Sequence, residues 1–118
     1  MSVNLLDKDY LEDHLEVLKK EIEVCSDLNI NILVTHFGHT SVETSKNKKK
    51  YVDLINIQKQ KYFEMAEIAK VHGVKLCIEN IFPYTNLHFT ALPSEVSDNI
   101  REIDHPNART TIDFSHAY

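Results

Sequence analysis

The sequence predicts an α/β domain built from parallel βα units, and two observations carry that expectation. Three short strand-like runs, residues 31–36, 74–79 and 109–113, are each preceded by a segment with helical character. Each run also ends in a residue that can bind a metal ion: His36, Glu79 and Asp113. Side chains alternate faces along a strand, so His36 shares a face with Ile32 and Val34, Glu79 with Cys77, and Asp113 with Thr111. If the runs are parallel and adjacent, the three ligand-type side chains meet at the carboxyl edge of one sheet. That is where α/β proteins place their chemistry.

The elements follow in order. Leu11, Leu15, Leu18, Ile22, Cys25 and Leu28 are spaced by threes and fours, which predicts an amphipathic helix over residues 8–28. The first strand follows and stops at Gly38. A polar stretch leads to a second helix starting near Ser45 or Lys46, with Val52, Ile55, Tyr62, Ala66 and Ala69 on its buried face and Gly73 as its stop. After the second strand, residues 81–93 show no period and contain Pro83, Tyr84, His88 and Phe89. A loop of that length in a compact domain reads as a lid or binding loop. Ser94 is the expected N-cap of a third helix carrying Val96, Ile100 and Ile103. Pro106 closes that region before the third strand.

The strand-end separations fit βαβ units of about 30 residues or more, and right-handed crossovers make the sheet parallel, in the order first, second, third. Parallel sheets are normally covered on both faces. Here the face carrying Val34, Cys77 and Thr111 has no expected cover. Either the sheet closes with a second copy or the chain is a piece of a larger barrel. The chain is expected to associate through its exposed sheet edges or to be marginally stable.

Composition narrows the classes. The 118 residues suit one core, and a whole (β/α)8 barrel typically needs about 250. Apolar residues make up 42% and charged residues 26%, with a net charge of −5. That balance disfavours nucleic acid as a partner. The basic cluster 46–50 reads as a solvated helix start. Cys25 and Cys77 fall on apolar positions, as expected of buried thiols in a reduced cytoplasmic protein. The start lacks signal-peptide character and no stretch reaches about 18 apolar residues, so no membrane partner is expected.

Alone, each strand-end residue has an ordinary structural explanation: Glu79 as a salt-bridge partner or helix cap, His36 as a packing histidine. The coincidence of three, at one face parity on strands about 4.8 Å apart, points to a shared ion or polar substrate. Mixed imidazole and carboxylate donors suit a divalent ion such as Mn, Zn, Mg, Co or Fe. Glu79 and Asp113, expected at one level, would repel without a cation.

The strand end His36-Phe37-Gly38, the run 66–74 leading into Leu76-Cys77-Ile78-Glu79-Asn80, and Thr111-Ile112-Asp113-Phe114-Ser115-His116-Ala117 resemble the central part of the xylose isomerase-like TIM barrels. That superfamily includes sugar and sugar-phosphate isomerases and epimerases and the endonuclease-IV-type AP endonucleases. The resemblance covers nearly the whole chain. It implies that residues 1–118 form a single partial (β/α)8 domain, about strands three to five with their helices. It further implies that Glu79 and Asp113 bind metal, and that His116 and His36 contact substrate or metal. Glu79 would also be catalytic, and Asn80 would line the substrate site. The family's remaining catalytic groups lie on strands this chain does not contain.

The resemblance implies a metal-dependent sugar or sugar-phosphate isomerase or epimerase, removing a proton next to a carbonyl through a metal-stabilised enediolate, with a small sugar as partner. The competing readings are an AP endonuclease, which uses more histidine ligands, and a non-catalytic association module. A nucleotide-binding open sheet is disfavoured because residues 36–39 lack the glycine spacing that cradles phosphates.

Overall fold

A computed structural model describes residues 3–82, 87–90 and 92–117. The first helix, α1 (Leu11–Asp27), follows a 3-10 turn over Lys8–Tyr10. It leads into strand β1 (Ile32–Thr35). A short strand β2 (His39–Ser41) and a one-turn helix α2 (Val42–Lys46) precede the long helix α3 (Lys48–Val71). Strand β3 (Lys75–Glu79), a short strand β4 (Leu87–Phe89), helix α4 (Pro93–Ile103) and strand β5 (Ala108–Thr111) complete the order, and a 3-10 turn spans Phe114–Ala117.

The main sheet is three-stranded in the order β1-β3-β5, and both pairings are parallel, as the βαβ spacing requires. Leu33, Leu76, Ile78 and Ala108 lie on the face packed against the helices. The core joins them to Leu15, Leu18 and Ile22 of α1, to Tyr62, Met65, Ala66 and Ala69 of α3, and to Val96 and Ile103 of α4. The opposite face is open at β1, where Ile32 is 51% and Val34 46% exposed. Cys77 on that same face is buried despite having no covering layer. It sits on the central strand, and its register neighbours are Val34 and Arg109, so a short side chain is recessed between two longer ones. Both cysteines are free and buried.

The structure departs from the sequence expectations in four places. The buried stripe of α3 is rotated: Val52 is exposed, and Leu54 and Gln58 take the buried positions ahead of Tyr62. Gln58 disguises this stripe, because a glutamine at the apolar period reads as a surface residue. The third helix starts two residues early, with Leu92 at its N-cap and Pro93 at the first helical position, whose fixed φ suits a helix start; Ser94 makes no cap. The helix start expected at Ser45 or Lys46 is split. Ser41 caps α2, accepting from Thr44 N at 3.0 Å, and Asn47 caps α3, accepting from Lys50 N at 3.2 Å.

The fourth departure is the expected lid. Part of it is structured, because β4 pairs antiparallel with β2 in a second, two-stranded sheet beyond the carboxyl ends of β1 and β3. Pro83 and Tyr84 lie outside the described residues. Among the described residues no helix is long and apolar enough to cross a membrane.

Candidate active site

The first of the three expected ligands stands one residue past β1. The segment 36–38 is pinned to α3 from below. The Tyr62 hydroxyl donates to the His36 carbonyl at 2.7 Å, and the Gly38 amide donates to Gln58 Oε1 at 2.7 Å. Phe37 is buried edge-on against Tyr62, with ring centroids 5.3 Å apart. Burial raises the Tyr62 hydroxyl well above the ordinary phenol range, opposed by a hydrogen bond with Thr35, and Glu21 raises it further. The phenol is therefore a permanent donor that fixes the backbone beneath the His36 ring.

Glu79 ends β3, the neighbouring strand. His36 Nε2 lies 3.3 Å from Glu79 Oε1, with the two side chains 38% and 19% exposed. An ionised carboxylate only accepts, so Nε2 carries the hydrogen in this pair. The sequence-expected meeting of these two strand ends is present.

Asp113 stands differently. The β3–β5 register pairs Glu79 with Thr111, so Asp113 lies two residues beyond the level of Glu79 rather than opposite it. The expectation of two carboxylates facing each other at one level is corrected by this register. The expected run 109–113 counted Asp113 as the strand's last residue, whereas β5 ends at Thr111. Asp113 is instead brought toward β3 by Asn80. The Asp113 amide donates to Asn80 Oδ1 at 2.7 Å, and Asn80 Nδ2 donates to the Asp113 carbonyl at 2.9 Å. The Asp113 carboxylate also accepts from Ser115, whose amide and hydroxyl reach Oδ1 at 2.8 and 2.5 Å. Asn80 is fully buried, and both ends of its carboxamide bond protein backbone. His116 lies in the 3-10 turn Phe114–Ala117, and its side chain is outside the described residues.

A second asparagine, which the sequence reading passed over, works in the same way on the other side. Asn4 Oδ1 accepts from the His39 amide at 3.0 Å, and Asn4 Nδ2 donates to the His39 carbonyl at 3.1 Å. The approach is close enough that a Cβ on Gly38 would stand 2.2 Å from Asn4 Oδ1 and 2.8 Å from Leu6 N. Asn4 itself is held by His14, whose Nδ1 accepts from the Asn4 amide at 3.2 Å while Nε2 faces Asp7 Oδ2 at 3.2 Å. Burial lowers the His39 imidazole pKa, Asp7 opposes that, and His14 adds to it. Nothing local in the sequence marks Asn4, because its partner is 35 residues away.

The structure thus brings an imidazole and a carboxylate into contact, while Asn80 clamps the backbone of Asp113, whose carboxylate accepts from Ser115. Among the described residues no three histidine, cysteine, aspartate or glutamate side chains stand close enough to enclose an ion. His36 and Glu79 are donors of the imidazole and oxygen types that divalent ions take.

The family model for the xylose isomerase-like TIM barrel matches residues 1–118. No curated protein matches the sequence. Among solved structures, the chain is similar to a D-tagatose 3-epimerase-like protein (TM-score 0.76, 21% identity), covering 94% of this chain and 40% of that one. It is similar to D-psicose 3-epimerase with D-tagatose from Clostridium cellulolyticum H10 (TM-score 0.77, 19% identity, 96% and 39% covered). It is also similar to a xylose isomerase-like TIM barrel protein from Mycobacterium smegmatis in complex with magnesium (TM-score 0.68, 16% identity, 91% and 37% covered). At these identities the likeness establishes the fold, and the chain spans about two-fifths of the length of each.

Proposed function

The chain belongs to the xylose isomerase-like TIM barrel family, and we propose that it contributes part of the site of a metal-dependent sugar or sugar-phosphate isomerase or epimerase. The observation that carries this reading is the 3.3 Å contact between His36 and Glu79 at the carboxyl ends of adjacent parallel strands. Two structures of similar fold support it by what they hold: one is a sugar epimerase with D-tagatose, another contains magnesium.

A divalent ion, Mn, Zn, Mg, Co or Fe, would be held by Glu79 and Asp113, with His36 or His116 completing what this chain offers. When bound, such an ion polarises a sugar carbonyl and its neighbouring hydroxyl. The chain's own residues do the rest. Tyr62 and Gln58 fix the backbone on which His36 stands, and His36 orients the Glu79 carboxylate through Nε2–H. In this reading Glu79 would hold or move a proton at the carbon beside the carbonyl, the role of a positioned carboxylate in such reactions. The acid–base partner is drawn from outside these three βα units. The net charge of −5 disfavours the nuclease reading. The open face and the outer edge of β1 suit association with further barrel strands or a second copy.

The test is solvent deuterium incorporation beside the carbonyl of a ketohexose, followed by NMR with Mn²⁺ present. Incorporation by the chain that Glu79→Gln abolishes supports the reading. Incorporation that survives Glu79→Gln or needs no metal overturns it, and a complete lack of incorporation favours an association module.

A further inference from the structure

We infer that Asn80 is the positioning residue that makes Asp113 a partner of Glu79, and is not itself a substrate contact. The inference rests on the metal-site reading above. Glu79 and Thr111 form the last paired level of the β3–β5 ladder. The register of the two strands ends there, two residues short of Asp113. Asn80 replaces that pairing with its side chain, presenting a carboxamide C=O and N–H to the N–H and C=O of one residue. Both bonds are short and the side chain is fully buried, so solvent does not compete for them.

The clamp links sequence neighbours with opposite tasks. Glu79 keeps part of its carboxylate accessible beside His36, while Asn80, the next residue, reaches β5. A side chain attached directly after Glu79 thus ties the backbone of Asp113 to β3. Ser115 then fixes the Asp113 carboxylate through two bonds to Oδ1. Outer partners of this kind hold ligands in orientation, and their loss typically costs about 10–100-fold in metal affinity. Asn80 Oδ1 and Nδ2 are occupied by Asp113, which leaves the carboxamide badly placed to recognise a sugar hydroxyl.

The experiment is ¹³C NMR of the side-chain carboxylates of the 118-residue chain during Mn²⁺ titration. In the parent chain the paramagnetic ion is expected to broaden the Glu79 and Asp113 resonances together. In Asn80→Ala, Glu79 is expected to broaden while Asp113 largely escapes, with affinity about 10-fold weaker or more. A general loss of structure would change both resonances alike. Asn80→Asp keeps the acceptor for the Asp113 amide and loses the donor to its carbonyl, so it should fall between the two; it decides the matter if Asn80→Ala does not fold. Equal broadening of both carboxylates in the folded variants overturns the inference. If neither resonance broadens in the parent chain, the metal-site reading itself fails, and the inference with it.

Discussion

Asn4 and Asn80 each pair a whole carboxamide with the backbone of one residue that follows a parallel strand, His39 at the start of β2 in one case and Asp113 beyond β5 in the other. The two clamps flank the His36–Glu79 contact, one on the β1 side and one on the β5 side. Where strands diverge at the carboxyl edge of a parallel sheet, backbone pairing ends just where functional side chains must be held still. An asparagine side chain supplies one donor and one acceptor; buried Asn80 uses them on Asp113, two residues past the last paired level, and half-buried Asn4 uses them on His39.

The close approach of Asn4 makes Gly38 a sensitive position. Gly38→Ala places a Cβ within clashing distance of Asn4 Oδ1 and Leu6 N, and the second atom is backbone that cannot simply rotate away. The expected cost is about 1–3 kcal/mol, as for other overpacked buried sites. Thermal unfolding checks the stability, and amide exchange at Leu6 and His39 should rise with it. An unchanged melt would show that the N-terminal segment is not held as described.

Tyr62 gives an alkaline signature. Its folded-state pKa is raised by burial, so the folded chain retains a proton that the unfolded chain releases near pH 10. This contribution to stability is fully present below the unfolded pKa and lost as pH rises through the folded one. The melting midpoint should therefore fall above about pH 10. Tyr62→Phe should flatten that fall and cost about 1–3 kcal/mol at neutral pH, because the part-buried His36 carbonyl loses its donor.

His39 gives the opposite dependence. Its pKa is lowered chiefly by burial, so the fold prefers the neutral ring. The associated stability is present above the unfolded value of about 6.5 and lost as pH falls through the folded one. Melting midpoints between pH 7 and pH 5 should decline, less steeply in His39→Gln. Asp7 and His14 face the same cluster, so the variant is compared with the parent at each pH rather than at one.

The open face of β1 should drive association. Ile32 and Val34 are about half exposed on a strand whose outer edge carries no partner among the described residues. Light scattering should show concentration-dependent assembly, reduced in Val34→Lys. A parent chain that stays monomeric across the range would mark the open face as tolerated in isolation.

Much of this arrangement was legible in the sequence because it rests on period and punctuation. The α1 stripe, the three strand runs and their parallel order follow from apolar spacing and the length of the connections. The β2–β4 pair was not legible, since three residues are too few to show alternation. The level of Asp113 was missed for another reason: face parity cannot tell adjacent levels of a strand apart, and register decides between Thr111 and Asp113. Gln58 and Asn4 were hidden because a polar residue has no period, and its burial depends on a partner far away in sequence.

Calorimetric titration with Mn²⁺, of the parent chain beside the Glu79→Gln, Asp113→Asn double variant, tests the central claim most directly. The account predicts a single weak site in the parent chain, weakened by the absence of ligands from further strands and abolished in the double variant. Equal binding by both proteins would place the ion elsewhere and contradict the assignment of this strand edge as the site.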